Sequence, residues 1–251
     1  MKLKIVFALV AVIEFAALTV YAGSSWDGTA EVRYVTKSVF RGDKKANQSI
    51  RVSADVNPVT GEDGFFAGGW FNQPLSSKRD NEIDLFGGYR YHWENFVFDG
   101  GIIGYFYPES GHHETGYSYE LYLSVQREIL KNLSVMGTVY YDVRLEALTV
   151  EGATAYTIPY ELGRLPASLD FSLFAGCSHI DDVFPDAHSS TSDGYSYYGA
   201  TVSTAVWFNK RLNSSVGLHY GDTVNKAART SPFSDKGDNN LYGYVAMGLK
   251  W

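Results

Sequence analysis

Two groups of residues carry enough acid, base or ligand chemistry to be weighed first. His179, Asp181, Asp182, Asp186 and His188 fall in one short stretch, and His112-His113 stand between Glu109 and Glu114. Either group offers imidazole and carboxylate in the combination that supports acid–base work, a His-activated nucleophile or a divalent metal. Neither has a spacing that assigns one of these chemistries, and both sit in stretches that read as loops. The sequence therefore predicts no catalytic residues, no metal site and no cofactor, with a loop-borne hydrolase as the alternative.

The other chemistry-bearing residues are charged side chains that recur at every second position, opposite apolar ones. From Asn81 to His92, Ile83, Leu85, Tyr89 and Tyr91 share one face while Glu82, Asp84, Arg90 and His92 share the other. Tyr117 to Arg127 and Leu241 to Trp251 repeat the pattern. A period of two is the signature of strands, and Gly, Pro, Asn, Asp and Ser clusters punctuate it. Strands are predicted at 29–40, 47–57, 64–72, 81–92, 96–107, 117–127, 133–143, 153–163, 169–179, 195–207, 213–221 and 240–251. At about 3.3 Å per residue, eleven residues reach roughly 36 Å, enough for a tilted strand to cross an apolar band of ~25 Å. Connections after even strands are mostly tight, as at Glu94-Asn95, whereas those after odd strands include Pro108 to Gly116, Ile180 to Gly194 and Asp222 to Asn239.

Composition narrows the reading further. A single Cys in 251 residues excludes a disulfide scaffold, and a net charge of −7 without a block of either sign argues against nucleic acid as a partner. Two lysines, an apolar run from Ile5 to Val20 and Val20-Tyr21-Ala22 read as a secretory signal over 1–22. Glu14 interrupts that run, so an uncleaved anchor is its alternative. Residues 23–251 then form one domain.

One apolar and one polar face also describe a soluble sandwich. Aromatics near strand ends on the apolar face (Tyr91, Trp93, Phe96, Phe106, Tyr117, Tyr141, Tyr220) favour instead an all-β, single antiparallel up-and-down transmembrane β-barrel of twelve strands. The terminal Trp251 is similar to the aromatic assembly signal of bacterial outer-membrane barrels, which implies the barrel-assembly machinery and outer-membrane lipid as partners. Ser38-Val39-Phe40-Arg41-Gly42 after Tyr34, Gly64-Phe65-Phe66-Ala67-Gly68-Gly69-Trp70, Glu82-Ile83-Asp84-Leu85, Tyr105-Phe106-Tyr107-Pro108 and Tyr119-Glu120-Leu121-Tyr122 occur in an order and spacing that resembles the TorF-type porin family over roughly residues 30–180. Asp43-Lys44-Lys45 departs from that family's usual run. The resemblance implies a pore in the outer membrane, with no agreed substrate and no catalytic residues.

In such a barrel the polar face lines the lumen. Its acidic members by parity are Glu31, Asp55, Glu82, Asp84, Asp99, Glu120, Asp142, Glu161 and Asp170; its basic ones are Arg33, Lys37, Arg51, Arg90 and Lys250. That acidic majority predicts passive diffusion of small polar solutes with a mild preference for cations or neutral molecules. A non-conducting structural or adhesive barrel, its lumen filled by loops or by residues such as Tyr122, Tyr242 and Tyr244, is a further alternative. A two-residue turn at Glu94-Asn95 sets Arg90 opposite Asp99 as a structural ion pair. A looser turn over Gly163 to Ser168 sets Glu161 against Asp170, a like-charge pair that calls for Lys250 or a cation nearby. Asp222 to Asn239 is a candidate constriction. Cys177 falls on the apolar face, and His92 and His219 on the polar one.

Overall fold

The computed structural model describes residues 26–75, 81–108, 117–180, 194–224 and 240–251; the signal assigned to 1–22 lies outside them. The strands are β1 (Trp26–Val35), β2 (Ser38–Phe40), β3 (Asp43–Ala46), β4 (Ser49–Pro58), β5 (Gly64–Pro74), β6 (Glu82–Trp93), β7 (Phe96–Phe106), β8 (Tyr117–Leu130), β9 (Leu133–Asp142), β10 (Ala147–Leu162), β11 (Leu165–Ile180), β12 (Gly194–Trp207), β13 (Leu212–Thr223) and β14 (Leu241–Lys250). All but β2 and β3 join a closed antiparallel barrel of twelve strands, in which each pairs with its neighbour in sequence and β14 returns to β1. Closure removes the unpaired edges that an open sheet of this length would expose. The seam carries extra bonds at the chain end: Gly28 and Trp251 exchange backbone N–H···O contacts of 3.1 and 3.0 Å.

The period-two pattern fixes which side of the wall each residue takes. Leu85, Leu123, Leu173, Leu218 and Val245 are exposed on the outer face, all by more than half. Tyr91 and Trp93 stand exposed at one rim, and Phe106, Tyr117 and Tyr141 at the other. An exposed apolar band between two aromatic rings is the surface that a lipid bilayer solvates. The buried residues Val35, Tyr242, Tyr244 and Ala246 instead form a small core inside the barrel.

Five connections on one rim are short. Glu94-Asn95, Lys131-Asn132 and Gly163-Arg164 are two-residue turns, and Glu94, Asn132 and Gly163 take positive φ there (52°, 65° and 67°). The opposite rim carries the β2–β3 hairpin and the longer connections, whose centres at 76–80, 109–116, 181–193 and 225–239 lie outside the described residues.

Three expectations are corrected. The first strand ends at Val35 rather than 40: Thr36 makes the last contacts with the wall (Thr36 N to Gly243 O 3.0 Å, Gly243 N to Thr36 Oγ1 3.0 Å), and the chain then leaves it at Lys37 for the β2–β3 hairpin. β10 begins at Ala147, six residues before the expected 153. The turn after it is two residues rather than six, so Glu161 pairs with Pro166 and Asp170 with Thr157. The like-charge pair between Glu161 and Asp170 does not form, so no nearby cation is required there.

Candidate functional site

The most constrained interior feature is the β2–β3 hairpin, which leaves the wall and turns into the lumen. Phe40 pairs with Asp43 across Arg41 and Gly42, both at positive φ (47° and 76°). That is the geometry of a tight hairpin turn with both central residues left-handed, a conformation natural for Gly and uncommon for Arg. Close packing explains the glycine: a Cβ at Gly42 would stand 2.6 Å from the backbone oxygen of Asp222 on β13. The side chain of Asn240, just before β14, donates to the Gly42 carbonyl at 3.0 Å.

Arg41 fixes the tip to the other side. Its guanidinium donates through Nη1 and Nη2 to the two carboxylate oxygens of Glu120 on β8, at 2.6 and 3.0 Å. Tyr105 on β7 donates to the same carboxylate at 2.7 Å. The guanidinium also lies 4.6 Å from the ring centre of Tyr140 on β9 and 4.8 Å from that of Phe40. A bidentate, ring-backed pair with Glu120 only 3% exposed is the strong form of a charge-assisted contact. Val39 packs on the core of Val35, Tyr242, Tyr244 and Ala246, and Arg51 donates to Ser38 at 2.8 Å. The hairpin thus touches β1, β4, β7, β8, β9, β13 and β14, and narrows the lumen at the long-loop end.

Around this constriction the charges separate by sign. Arg33 and Arg51 are direct cross-strand partners on β1 and β4, steadied by aromatic faces: Arg33 lies 4.2 Å from the Tyr244 ring centre and Arg51 5.4 Å from that of Trp70. Arg33 also pairs with Glu31 at 2.7 Å. Glu82 and Asp84 on β6, Glu120 on β8, Asp142 on β9 and Glu151 on β10 occupy the other arc. Tyr107 donates to Glu82 at 2.9 Å, Ser118 to Asp142 at 2.7 Å and Tyr197 to Glu151 at 2.7 Å. The ring of Tyr197 lies over Gly176, where a Cβ would stand 2.6 Å from its hydroxyl end.

Toward the short-turn end small residues such as Ser134, Ala155, Ser203, Ala205 and Ser215 share the inward side with separate charges. Arg90 and Asp99 are joined through Nε to Oδ1 at 2.8 Å and Nη2 to Oδ2 at 2.7 Å. Asp55 accepts from Thr29 and Asn57, and Asp170 from Thr157 and Ser168; neither makes a salt bridge among the described residues, and Arg90 acts on Asp55 only through space. Lys250 is exposed on the last strand, and Glu161 is exposed near the end of β10.

Parity found the wall residues but missed Arg41 and Glu151. Glu151 precedes the strand start expected at 153. Arg41 sits in a hairpin of three- and four-residue strands, too short to show a period, and Arg41-Gly42 is not one of the usual two-residue hairpin pairs. Of the two loop clusters, residues 109–114 and 181–188 lie outside the described residues, as does most of the suggested constriction at 222–239. His179 is exposed near the end of β11, and no group of three metal-ligating side chains able to hold an ion occurs among the described residues. His219 stacks near Tyr242 and Phe174, at ring-centre distances of 4.7 and 5.7 Å, and meets Thr201 at 2.8 Å.

Comparison with known proteins places this geometry. A model of the family described as "Bacterial protein of unknown function (Gcw_chp)" matches residues 20–246. No curated protein sequence gives a significant match. Among solved structures, the NanC porin aligns at a TM-score of 0.53 with 11% identity, over 88% of this chain and 98% of its own. The KdgM porin aligns at 0.52 with 11% identity, over 88% and 98%. A KdgM porin structure in complex with disordered oligogalacturonate aligns at 0.50 with 12% identity, over 89% and 98%. At these identities the likeness is one of fold.

Proposed function

Because the chain belongs to the Gcw_chp family of bacterial proteins of unknown function, its role has to be read from its own geometry, and we propose that it is an outer-membrane channel for passive diffusion of small polar solutes. One observation carries the reading: an apolar, aromatic-girdled wall encloses a polar lumen that an ordered hairpin narrows. A solid plug would pack apolar side chains together throughout the barrel, whereas among the described residues the packed apolar cluster is Val35, Tyr242, Tyr244 and Ala246 beside the hairpin, and buried Phe66, Tyr105 and Tyr197 lie apart from it. The porin-like fold supports an outer-membrane location, with lipid against Leu85, Leu123 and Leu218, and Trp251 at the seam as the mark for barrel assembly. The TorF-type assignment drawn from the motifs belongs to the same proposal, as do the leader at 1–22 and the absence of catalysis.

The charge pattern argues for the type of solute. Arg41 and Arg90 are ion-paired with Glu120 and Asp99, while Asp55 and Asp170 make no salt bridge among the described residues, Arg90 reaching Asp55 only through space. A lumen with unpaired negative charge raises the local concentration of cations and tolerates neutral solutes. The acidic polymer named with one KdgM structure would be disfavoured here. The test is single-channel recording of the refolded protein in a planar bilayer, with the reversal potential read in a salt gradient. Discrete steps with cation preference support the reading, and a folded, heat-modifiable barrel that yields no steps overturns it.

A further inference from the structure

Behind the hairpin, at the long-loop end, is a cavity of about 280 Å³ between the Arg41 side of the tip and the wall from β7 to β12. It is small beside the roughly 300–1,000 Å³ of pockets that enclose drug-sized ligands. Its lining is distinctive in kind. Tyr105, Ser118, Ser178 and Tyr195 present hydroxyls, with Thr149 buried behind Ser178, Phe40 and Tyr117 present rings, and Arg41, Lys45 and Arg144 bring cationic donors.

The acids there are already satisfied. Glu120 is held by Arg41 and Tyr105, and Asp142 accepts from Ser118 and from the backbone N–H groups of Arg144 and Leu145 at 2.9 Å. The protons of Tyr105, Ser118 and Thr149 are spent on protein acceptors, Thr149 donating to Ser178 at 2.9 Å. The oxygens of Tyr105 and Ser118 each keep a lone pair, so toward the cavity they act as acceptors. Arg144 uses one N–H on the Tyr117 carbonyl and lies over the Tyr117 ring, its centre 4.7 Å away; a guanidinium has five N–H groups, which leaves donors. The cavity therefore combines many acceptors, a few strong donors and flat apolar faces. A ligand that suits it donates several hydroxyls, accepts a few bonds and has C–H faces to lay on rings.

We propose that this cavity is a binding subsite for a polyhydroxylated solute the size of one sugar ring, set beside the constriction. The inference deepens the channel reading and rests on it for the route by which solute arrives. It assigns the hairpin a second role, since Phe40, Arg41 and Lys45 belong both to the narrowing and to the subsite.

The experiment adds D-glucose to the long-loop side of the reconstituted channel, with triethylene glycol as a probe of similar bulk that lacks the hydroxyl array. The informative variant is the double substitution Thr149→Val with Ser178→Ala. Ser178 is the hydroxyl of this pair that reaches the cavity, and replacing its buried partner Thr149 at the same time leaves neither hydroxyl unpaired and preserves shape. Glucose should interrupt the wild-type current in a saturable way, triethylene glycol should not, and the double variant should conduct salt as before while needing about tenfold more glucose. If the wild type conducts and both probes change its current equally, the subsite is overturned and the channel stands. If the wild type does not conduct, saturation-transfer NMR of the detergent-refolded protein with glucose decides. Transfer that weakens in the double variant keeps the subsite without the channel, and no transfer overturns both.

Discussion

Arg90 and Asp99 show how a single contact follows from a single turn. Trp93 pairs with Phe96 around Glu94-Asn95, and counting back three positions on each strand brings the two charges together. Their side chains are 30% and 23% exposed, so the pair works in partly aqueous surroundings. Asp99→Asn should lower stability by about 0.5–1 kcal/mol, the upper part of the range for accessible pairs. Arg90→Ala should cost more, because it also uncovers the Phe66 ring, 5.7 Å from the guanidinium. Urea unfolding of the refolded barrel in lipid vesicles measures both. The same counting failed for Glu161 and Asp170, where positive φ at Gly163 closes a two-residue turn in place of the expected six. That error shifts the pairing by four residues, an even number, so both residues keep the inward side that parity assigned them. A neighbouring turn supplies a pH prediction. Asp63 accepts from the His92 backbone N–H at 2.7 Å and meets the ring nitrogen at 3.0 Å, which lowers its pKa below the ordinary carboxylate value. A lowered pKa means that the contact stabilises the fold above the unfolded-state value and is lost as pH falls through the folded one. The His92 amide resonance should accordingly titrate with a midpoint below about 3.9, the unperturbed aspartate value.

At the level of elements, the wall was legible and the constriction was not. Twelve wall strands of ten to sixteen residues carry enough repeats of the period-two pattern to be read one by one. Segments of three and four residues cannot show a period, and the pattern of Ser38 to Phe40 continues that of the strand before it, which is why the first strand was expected to reach 40. What holds the chain inward is tertiary: Val39 finding an apolar floor on Tyr242 and Tyr244, and Arg41 finding Glu120, seventy-nine residues away. These partners are distant in sequence, and no local signal announces them. The hairpin should therefore be separable from the barrel. Replacing Ser38–Ala46 with a short Gly-Ser bridge should leave a heat-modifiable barrel and raise single-channel conductance severalfold. Glu120→Gln should act more gently. It keeps an acceptor for Tyr105 but removes the charge that holds Arg41, so the expected signature is an open current that flickers between the wild-type level and a larger one. An unchanged conductance in the bridge variant would mean that the narrowest point lies elsewhere.

For the whole molecule, the two faces of one wall are governed by different solvents. On the outer face Leu123 is 60% exposed to what the channel reading takes as lipid, and Leu123→Arg should cost about 2–4 kcal/mol if it sits near the bilayer midplane. On the inner face the solvent is electrolyte, and the reach of each charge depends on its partner and on salt. Asp99 and Glu120 are matched by arginines at 2.7 and 2.6 Å and contribute little net field to a passing ion. Asp55 and Asp170, held by hydroxyl and amide donors and in no salt bridge among the described residues, lie toward the short-turn end, with Asp55 within range of the Arg90 charge. Cation preference should therefore follow these two carboxylates rather than the more numerous charges at the constriction. The Asp55→Asn and Asp170→Asn double variant should move the reversal potential toward zero in dilute salt with little change in open-channel conductance at high salt. The screening length falls from about 10 Å at 0.1 M to about 3 Å at 1 M, so the wild-type preference itself should fade over the same range. If selectivity instead survives at 1 M salt and ignores the double variant, it is set at close range by the hairpin, where ions pass within contact distance of Arg41 and its neighbours.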